Sequence, residues 1–512
     1  MKEYIEYLKK HPFGCILVAA VLFLCYGIHA FSTYFYIDSE LLVLKPYTTY
    51  NWLETGRFSL PLLRRIAGLG VYDPYMEGIL FLLFLFIAST GLSFLLTRGR
   101  SGGVFLFAPL LFLVSRNYED AFYFHYLSHT LLAAFILLII ADRLFLSFLE
   151  KGKWQLLIAG CICQVLSFGV YQLMANIQIS LLLSLFILSS QDKQKTKAVP
   201  VIRDGWLSIA VYPFYFLGGF LPYEVIAKLF FSGSSYLNDQ ILWGQQPFKT
   251  VVQSVLSAVK LYLTAPGDLL EKTYPATALL LLVTSFLLWK KHRLSFWTAA
   301  GLLGLFASPL FLPVIMGKIL IGRTQLTMPL VCSCLIIVCI RLLEQICEDR
   351  DRQRLQHLGV LFCTVLMYMQ ALVVMRLYYT EKVIRDHDAV TTAQMIHTID
   401  QAGGTGKPLV FVGYLRAGSN ASCYHYRDMG SYMCLSAYAL RADASNLYNT
   451  RGILAYYETL GFHYPVPTME MMAEGEAAST QMPDWPAAGS VRNMGDYTVI
   501  RLSADNAGFA EQ

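Results

Sequence analysis

Charge is scarce in this chain. Asp, Glu, Lys and Arg make up 15% of its 512 residues, whereas an ordinary soluble domain carries about a quarter. With 56% hydrophobic residues and a mean hydropathy of +0.49, most of the chain belongs in lipid. A cleavable leader is also missing: the first apolar run, Cys15 to Ala30, leads into bulky "FSTYFYI" instead of small residues, so this run should remain as a membrane helix. Metal and nucleotide motifs are lacking too. His125 and His129 stand at i and i+4 without the Glu of HExxH or a third ligand, and "GYLRAG" lacks the three-glycine dinucleotide fingerprint. Of the 11 cysteines, Cys15, Cys25, Cys161, Cys163, Cys332, Cys334 and Cys339 fall inside apolar runs, where they act as small apolar residues. Cys423 and Cys434 lie outside the runs and could pair if that face is oxidising. A net charge of +5 gives no reason to expect nucleic acid as a partner.

What is abundant is apolar sequence in lengths suited to a bilayer. Runs near 13–33, 76–97, 103–115, 124–148, 154–171, 173–190, 205–231, 274–289, 294–316, 326–346 and 357–377 give about eleven candidate spanning helices. Basic residues cluster in alternate connections: "MKEYIEYLKKH", "TRGRSGG", "EKGKW", "SQDKQKTKAVPVIRD", "WKKHR" and "RLLEQICEDRDRQRLQH". The positive-inside rule then puts the N-terminus in the cytoplasm and residues 378–512 outside. The expected architecture is an all-α polytopic membrane domain over 1–377, followed by a small extracytoplasmic α/β domain over 378–512. In the latter, "AVTTAQMIHTIDQAGG" reads as a helix, "KPLVFVG" as a buried strand, "NLYNTRGILAYYETLGF" as a helix and "DYTVIRL" as a last strand. On the outer side, 58–70, with Arg64 and Arg65, reads as a helix lying in the membrane interface, and 248–263 has helical apolar spacing.

Acids gather at the expected outer mouths. Asp38 and Glu40 follow the first span, and Glu119 and Asp120 sit beside His125 and His129 in "EDAFYFHYLSH". A carboxylate is costly in hydrocarbon, about 2.5–3.5 kcal/mol on the lenient insertion scale, and a bland interfacial placement accounts for many such residues. Several together suggest a site that binds hydroxyl groups or removes a proton. Lys318 and Arg323 in "MGKILIGRTQ", with Arg57 in "NWLETGRFS", are cations on the side where cations are rarer. They suit a phosphate at the membrane surface, although anchoring of helix ends is the plainer reading. Aromatic residues, 14% of the chain, crowd the same mouths as an interfacial belt.

The stretch "YFYIDSELLVLKPYTTYNWLETGRFSLPLLRRI" resembles the opening of the Gtr-type serotype-conversion glucosyltransferases, polytopic bacterial proteins that decorate surface polysaccharide. "IGRTQLTMPLV", "LYYTEKVIRDHDAVTTAQMIHTI" and "LVFVG" extend the resemblance from about 30 to 460. The resemblance implies a GT-C-like fold in the bacterial cytoplasmic membrane. It also implies transfer of a sugar, glucose being expected, from a polyprenyl-phosphate carrier to a surface glycan, with inversion at the anomeric carbon. An acidic residue of the first outer loop would be the base, which maps onto Asp38, with Glu40 as neighbour or substitute. Arg57, Lys318 and Arg323 would meet the phosphate, and Glu119 and Asp120 would orient hydroxyls. The implied partners are the lipid-linked donor, the glycan acceptor, membrane lipids, and the enzyme and flippase that supply the donor. No metal is required, although the acids could hold a divalent cation. The rival reading is a transporter or lipid flippase. Against it, the polar residues concentrate on one face and not along a path through the spans.

Overall fold

The computed structural model describes residues 2–33, 35–44, 50–99, 102–191, 207–231, 240–266, 272–320, 322–416, 418–424, 436–442 and 444–504. Tyr34, Tyr47, Cys434, the Glu40 side chain and most of the basic connection 190–204 lie outside that description, and with Cys434 the question of its pairing with Cys423.

The protein is mostly helical. Among the described residues, eight helices are long and apolar enough to cross a membrane: Pro12–Ala30, Pro74–Thr97, His125–Lys151, Ile209–Phe230, Thr273–Lys290, Phe296–Met316, Gly322–Glu344 and Asp349–Gln401. Three shorter apolar helices, Gly103–Leu113, Trp154–Phe168 and Met174–Ser190, lie among them. This is a polytopic membrane protein. Helix starts follow local chemistry. Asp73 caps the second long helix by accepting from the Met76 N–H at 3.1 Å, and Pro74 occupies its first turn, where no N–H is needed.

Burial sorts the helices into centre and rim. Gly322–Glu344 is 94% enclosed and packs against Gly103–Leu113, Met174–Gln191 and Thr273–Lys290. Helix Thr273–Lys290 exposes Leu279, Leu282, Val283 and Phe286, and Asp349–Gln401 exposes Leu358, Leu361, Val365 and Leu372. In a membrane protein those surfaces face lipid tails.

Helix Asp349–Gln401 has 53 residues, which at 1.5 Å per residue is about 80 Å, far more than the roughly 30 Å of hydrocarbon. The helix expected to begin near 389 is its continuation, and the boundary expected at 377–378 falls inside it. After Gly359 the sequence contains neither Gly nor Pro until Gly403, so nothing breaks the rod. Beyond it, β1 (Leu409–Val412), β2 (Val491–Asn493) and β3 (Thr498–Arg501) form a sheet in the order β1-β3-β2. The β1–β3 pair is parallel and the β2–β3 pair antiparallel. Helices Asn446–Thr459 and Met469–Ser479 pack on this sheet, and every residue of β1 is buried.

Helix Ser59–Ile66 lies within the stretch read as an interfacial helix, but Arg64 does not face the interface. It is buried and its guanidinium meets Glu77 Oε1 at 2.8 Å. A charge in that position is stabilised by its partner, not by water.

The first and second long helices touch where Gly78 faces the Ala30 carbonyl, which a Cβ would overlap. Gly78→Leu should therefore force the helices apart at a cost of about 1–3 kcal/mol. The check is the melting temperature of the detergent-solubilised protein, and an unchanged value would contradict so close an approach.

Candidate functional site

The chain after the first long helix makes a tight turn, in which the Ser39 N–H donates to the Tyr36 carbonyl at 3.0 Å. Asp38 sits in this turn with a φ of 69°, a left-handed conformation that Asp tolerates better than most residues. Its two carboxylate oxygens have different partners. Oδ2 accepts from the Tyr126 hydroxyl at 3.4 Å, and Oδ1 accepts from the Arg441 guanidinium.

The next part of this loop is clamped against the turn that follows Phe168. The Ser59 N–H donates to the Gly169 carbonyl at 2.9 Å, and Gln172 Nε2 donates to the Thr55 carbonyl at 2.5 Å. Between these elements lies a cavity of about 450 Å³. Asp38, Glu54, Arg57 and Arg323 line it together with Trp52, Tyr126, Phe124 and Tyr171. Arg57 lies 5.0 Å from the Tyr171 ring centre and Arg323 4.5 Å from that of Phe124, so both guanidinium groups are held by aromatic faces. Trp52 stacks on Tyr126 at 6.1 Å.

Of the residues singled out in the sequence, Asp38, Arg57 and Arg323 therefore share one cavity. Asp120 supports it from behind: Oδ2 accepts from the Arg323 backbone N–H at 2.6 Å. Gly322 makes this approach feasible, having a φ of 62° and leaving the space where a Cβ would overlap the Asp120 carboxylate. The helix that carries Asp120, Arg116–Phe122, begins at Ser115, whose side chain accepts from the Tyr118 N–H at 3.3 Å.

Lys318 and Glu119 neither line the cavity nor hold a residue that does. Lys318 Nζ instead donates to Gln240 Oε1 at 2.5 Å. Glu119 is fully buried, and its side chain leaves the helix about 100° away from that of Asp120, so the two acids face different neighbours. Neither of its oxygens has a hydrogen-bond partner among the described residues. Burial, followed by the neighbouring Asp120 and Glu381 carboxylates, pushes Glu119 well above the usual carboxylate range. Among the described residues no group of three His, Cys, Asp or Glu side chains is arranged to hold a metal ion.

Other residues of the site were not anticipated. Glu54 stands three positions before Arg57 in a stretch already of interest, and its sequence spacing could have flagged it. Behind the cavity a buried polar layer joins Arg64 to Glu77 at 2.8 Å and places His125 Nδ1 3.7 Å from Glu77 and His29 Nδ1 3.8 Å from Glu381. Arg385 donates to the Tyr123 hydroxyl at 3.2 Å and lies 3.5 Å from Asp388. An acid in the first turn of a greasy helix was the available signal for Glu77. Arg441 gives no local signal, since its partner is 403 positions away.

A model of the family Glucosyl transferase GtrII matches residues 27–340, more than half of the chain. The chain belongs to this family. No curated protein and no solved structure matches it. The GtrII match makes the protein a membrane glycosyltransferase, for which a sugar donor and a glycan acceptor follow in general terms. It includes Asp38, Glu40, Arg57, Glu119, Asp120, Lys318 and Arg323, and ends before Glu381, Arg385, Asp388 and Arg441.

Glu119 gives a pH test. The folded state keeps its proton where the unfolded chain loses it, so stability falls as pH rises above the ordinary Glu value of about 4.3. Glu119→Gln should remove this loss, raising the melting temperature at pH 7 and leaving it nearly unchanged at pH 4. An equal shift at both pH values would contradict a protonated Glu119.

Proposed function

We propose that this member of the GtrII family transfers glucose from a polyprenyl-phosphate-linked donor to a cell-surface polysaccharide, on the outer side of the bacterial cytoplasmic membrane. In this reading the eight long and three shorter apolar helices form a GT-C-like domain over 1–377. The N-terminus is cytoplasmic, and 378–512 is an α/β domain outside the membrane. The basic inner connections support that orientation. The observation that carries the proposal is the meeting of one carboxylate, Asp38, with two guanidinium groups, Arg57 and Arg323, around a single cavity large enough for a sugar.

The chemistry follows from those charges. Asp38 accepts the proton of the acceptor hydroxyl as its oxygen bonds to the anomeric carbon. The bond from that carbon to the phosphate oxygen breaks, and its electron pair leaves with the polyprenyl phosphate. Arg57 and Arg323 face the developing charge on that phosphate. Attack opposite the leaving group inverts the anomeric centre. Trp52 and Tyr126 offer flat faces to the sugar, and Asp120 fixes the backbone that presents Arg323. Glu40 remains a neighbour or substitute for the base; Lys318 and Glu119, which face elsewhere, have no part in the transfer. The step needs no metal, and the partners are the lipid-linked donor, the glycan acceptor and the enzymes that make and flip the donor.

Asp38→Asn tests the assignment cleanly, because Asn tolerates the left-handed turn as well as Asp does. With labelled polyprenyl-phosphate glucose, its kcat should fall by at least about 100-fold, the scale of a lost general base. Parental kcat in Asp38→Asn combined with Glu40→Gln would overturn the mechanism. Arg323→Ala should raise the KM for donor more than the KM for acceptor. Equal changes would contradict a phosphate role.

A further inference from the structure

We infer that Arg441, contributed by the chain beyond the family match, is the positioning residue for the first-loop carboxylate, so that the C-terminal region completes the active site. This rests on the reading of Asp38 as base.

A base on a turn must be aimed, since a displacement of about 1 Å can cost on the order of 100-fold in rate. The turn itself offers little to aim it: Asp38 is in a left-handed conformation, and its side chain is 36% exposed. Its orientation comes from the pair of donors at its two oxygens, Tyr126 and Arg441. Tyr126 belongs to the membrane helices, and Arg441 reaches across from the other end of the chain.

The segment that delivers Arg441 is pinned on several sides. Ser436 Oγ and the Ala437 N–H donate to the two Asp388 oxygens at 2.5 and 2.7 Å. The Tyr438 hydroxyl is 2.6 Å from that of Thr392. Asn449 Nδ2 donates to the Tyr438 carbonyl at 3.0 Å and to the Gly413 carbonyl at 3.1 Å. The long helix, the strand end and helix Asn446–Thr459 thus all hold the loop that carries the arginine. Helix Asn446–Thr459 also packs on Ser39–Leu44, the helix that begins directly after Asp38. Such fixing suits an orienting contact better than a surface ion pair, which is usually formed by two mobile side chains and contributes little. With one donor at each oxygen, Asp38 keeps acceptor capacity and lines the cavity in which the acceptor's proton is taken.

The test is steady-state kinetics of the full-length protein in proteoliposomes with labelled polyprenyl-phosphate glucose, normalised to folded protein by size exclusion. Arg441→Gln should lower kcat by about tenfold or more while donor and acceptor KM stay within about twofold, as for misaligned chemistry with intact binding. Arg441→Lys keeps the charge but not the fork, and should fall in between, about threefold down. In the Asp38→Asn background, Arg441→Gln should cause no further loss, because the two act as a unit. Parental kcat in Arg441→Gln, a change confined to KM, or a fully additive double variant would overturn the inference and leave Asp38 as base. Parental kcat in Asp38→Asn would instead overturn the base assignment itself. If Arg441→Gln yields no folded protein, Arg441→Lys decides: reduced kcat at unchanged KM supports the inference, and parental kcat overturns it.

Discussion

A charge withdrawn from water must find a partner, and in this protein that requirement joins side chains of the first loop, the second long helix and the C-terminal region. Arg64 meets Glu77 with both side chains buried, Arg385 meets Asp388 one turn along the same buried helix face, and the half-buried Arg441 meets Asp38 from the other end of the chain. Breaking a fully buried pair such as Arg64–Glu77 by removing one member leaves an uncompensated charge and typically costs about 3–5 kcal/mol. The first loop and the C-terminal region are joined by apolar packing as well as by these polar contacts: Phe35 meets the Tyr456 ring at 5.9 Å.

That arrangement accounts for how a largely lipid-embedded protein can perform polar chemistry. In the proposed reaction a lipid-linked sugar has its chain among acyl tails and its phosphate at the interface, so acid, cation and hydroxyl would converge at the rim of the bundle. In the cavity bounded by Asp38, Arg57 and Arg323, aromatic faces hold the guanidinium groups in place. The 53-residue helix Asp349–Gln401 leads to the C-terminal sheet, and a loop beside that sheet brings Arg441 to Asp38.

Much of this was legible in the sequence because it depends on short-range pattern. Apolar run lengths marked the long helices, and the short apolar runs in "KPLVFVG" and "DYTVIRL" marked β1 and β3. The acid after the first span drew attention to Asp38, and cations on the outer side drew attention to Arg57 and Arg323. Long-range pairing was not legible. Asp120 was expected to touch substrate hydroxyls but holds the Arg323 backbone. Its neighbour Glu119 was grouped with it because adjacency in sequence hides the 100° turn between successive helical side chains. The domain boundary was placed where composition changes, while the helix runs on because no Gly or Pro stops it. Arg441 was missed because its meaning comes only from a carboxylate at the other end of the chain.

The central claim is that the lipid-linked donor is met in the cavity bounded by Asp38, Arg57 and Arg323. The chain has a second charged cavity of about 380 Å³, lined by Glu3, Glu6, Lys10, Arg98, Arg143 and Glu150, which offers an internal comparison. A photoreactive polyprenyl-phosphate sugar analogue, cross-linked in native membranes and mapped by peptide mass spectrometry, tests the claim most directly. Labelling within 52–60, 121–131 and 323, suppressed by unlabelled donor, is the result the account predicts. Competed labelling at Glu3, Arg98 or Arg143, with the first loop unlabelled, would contradict it.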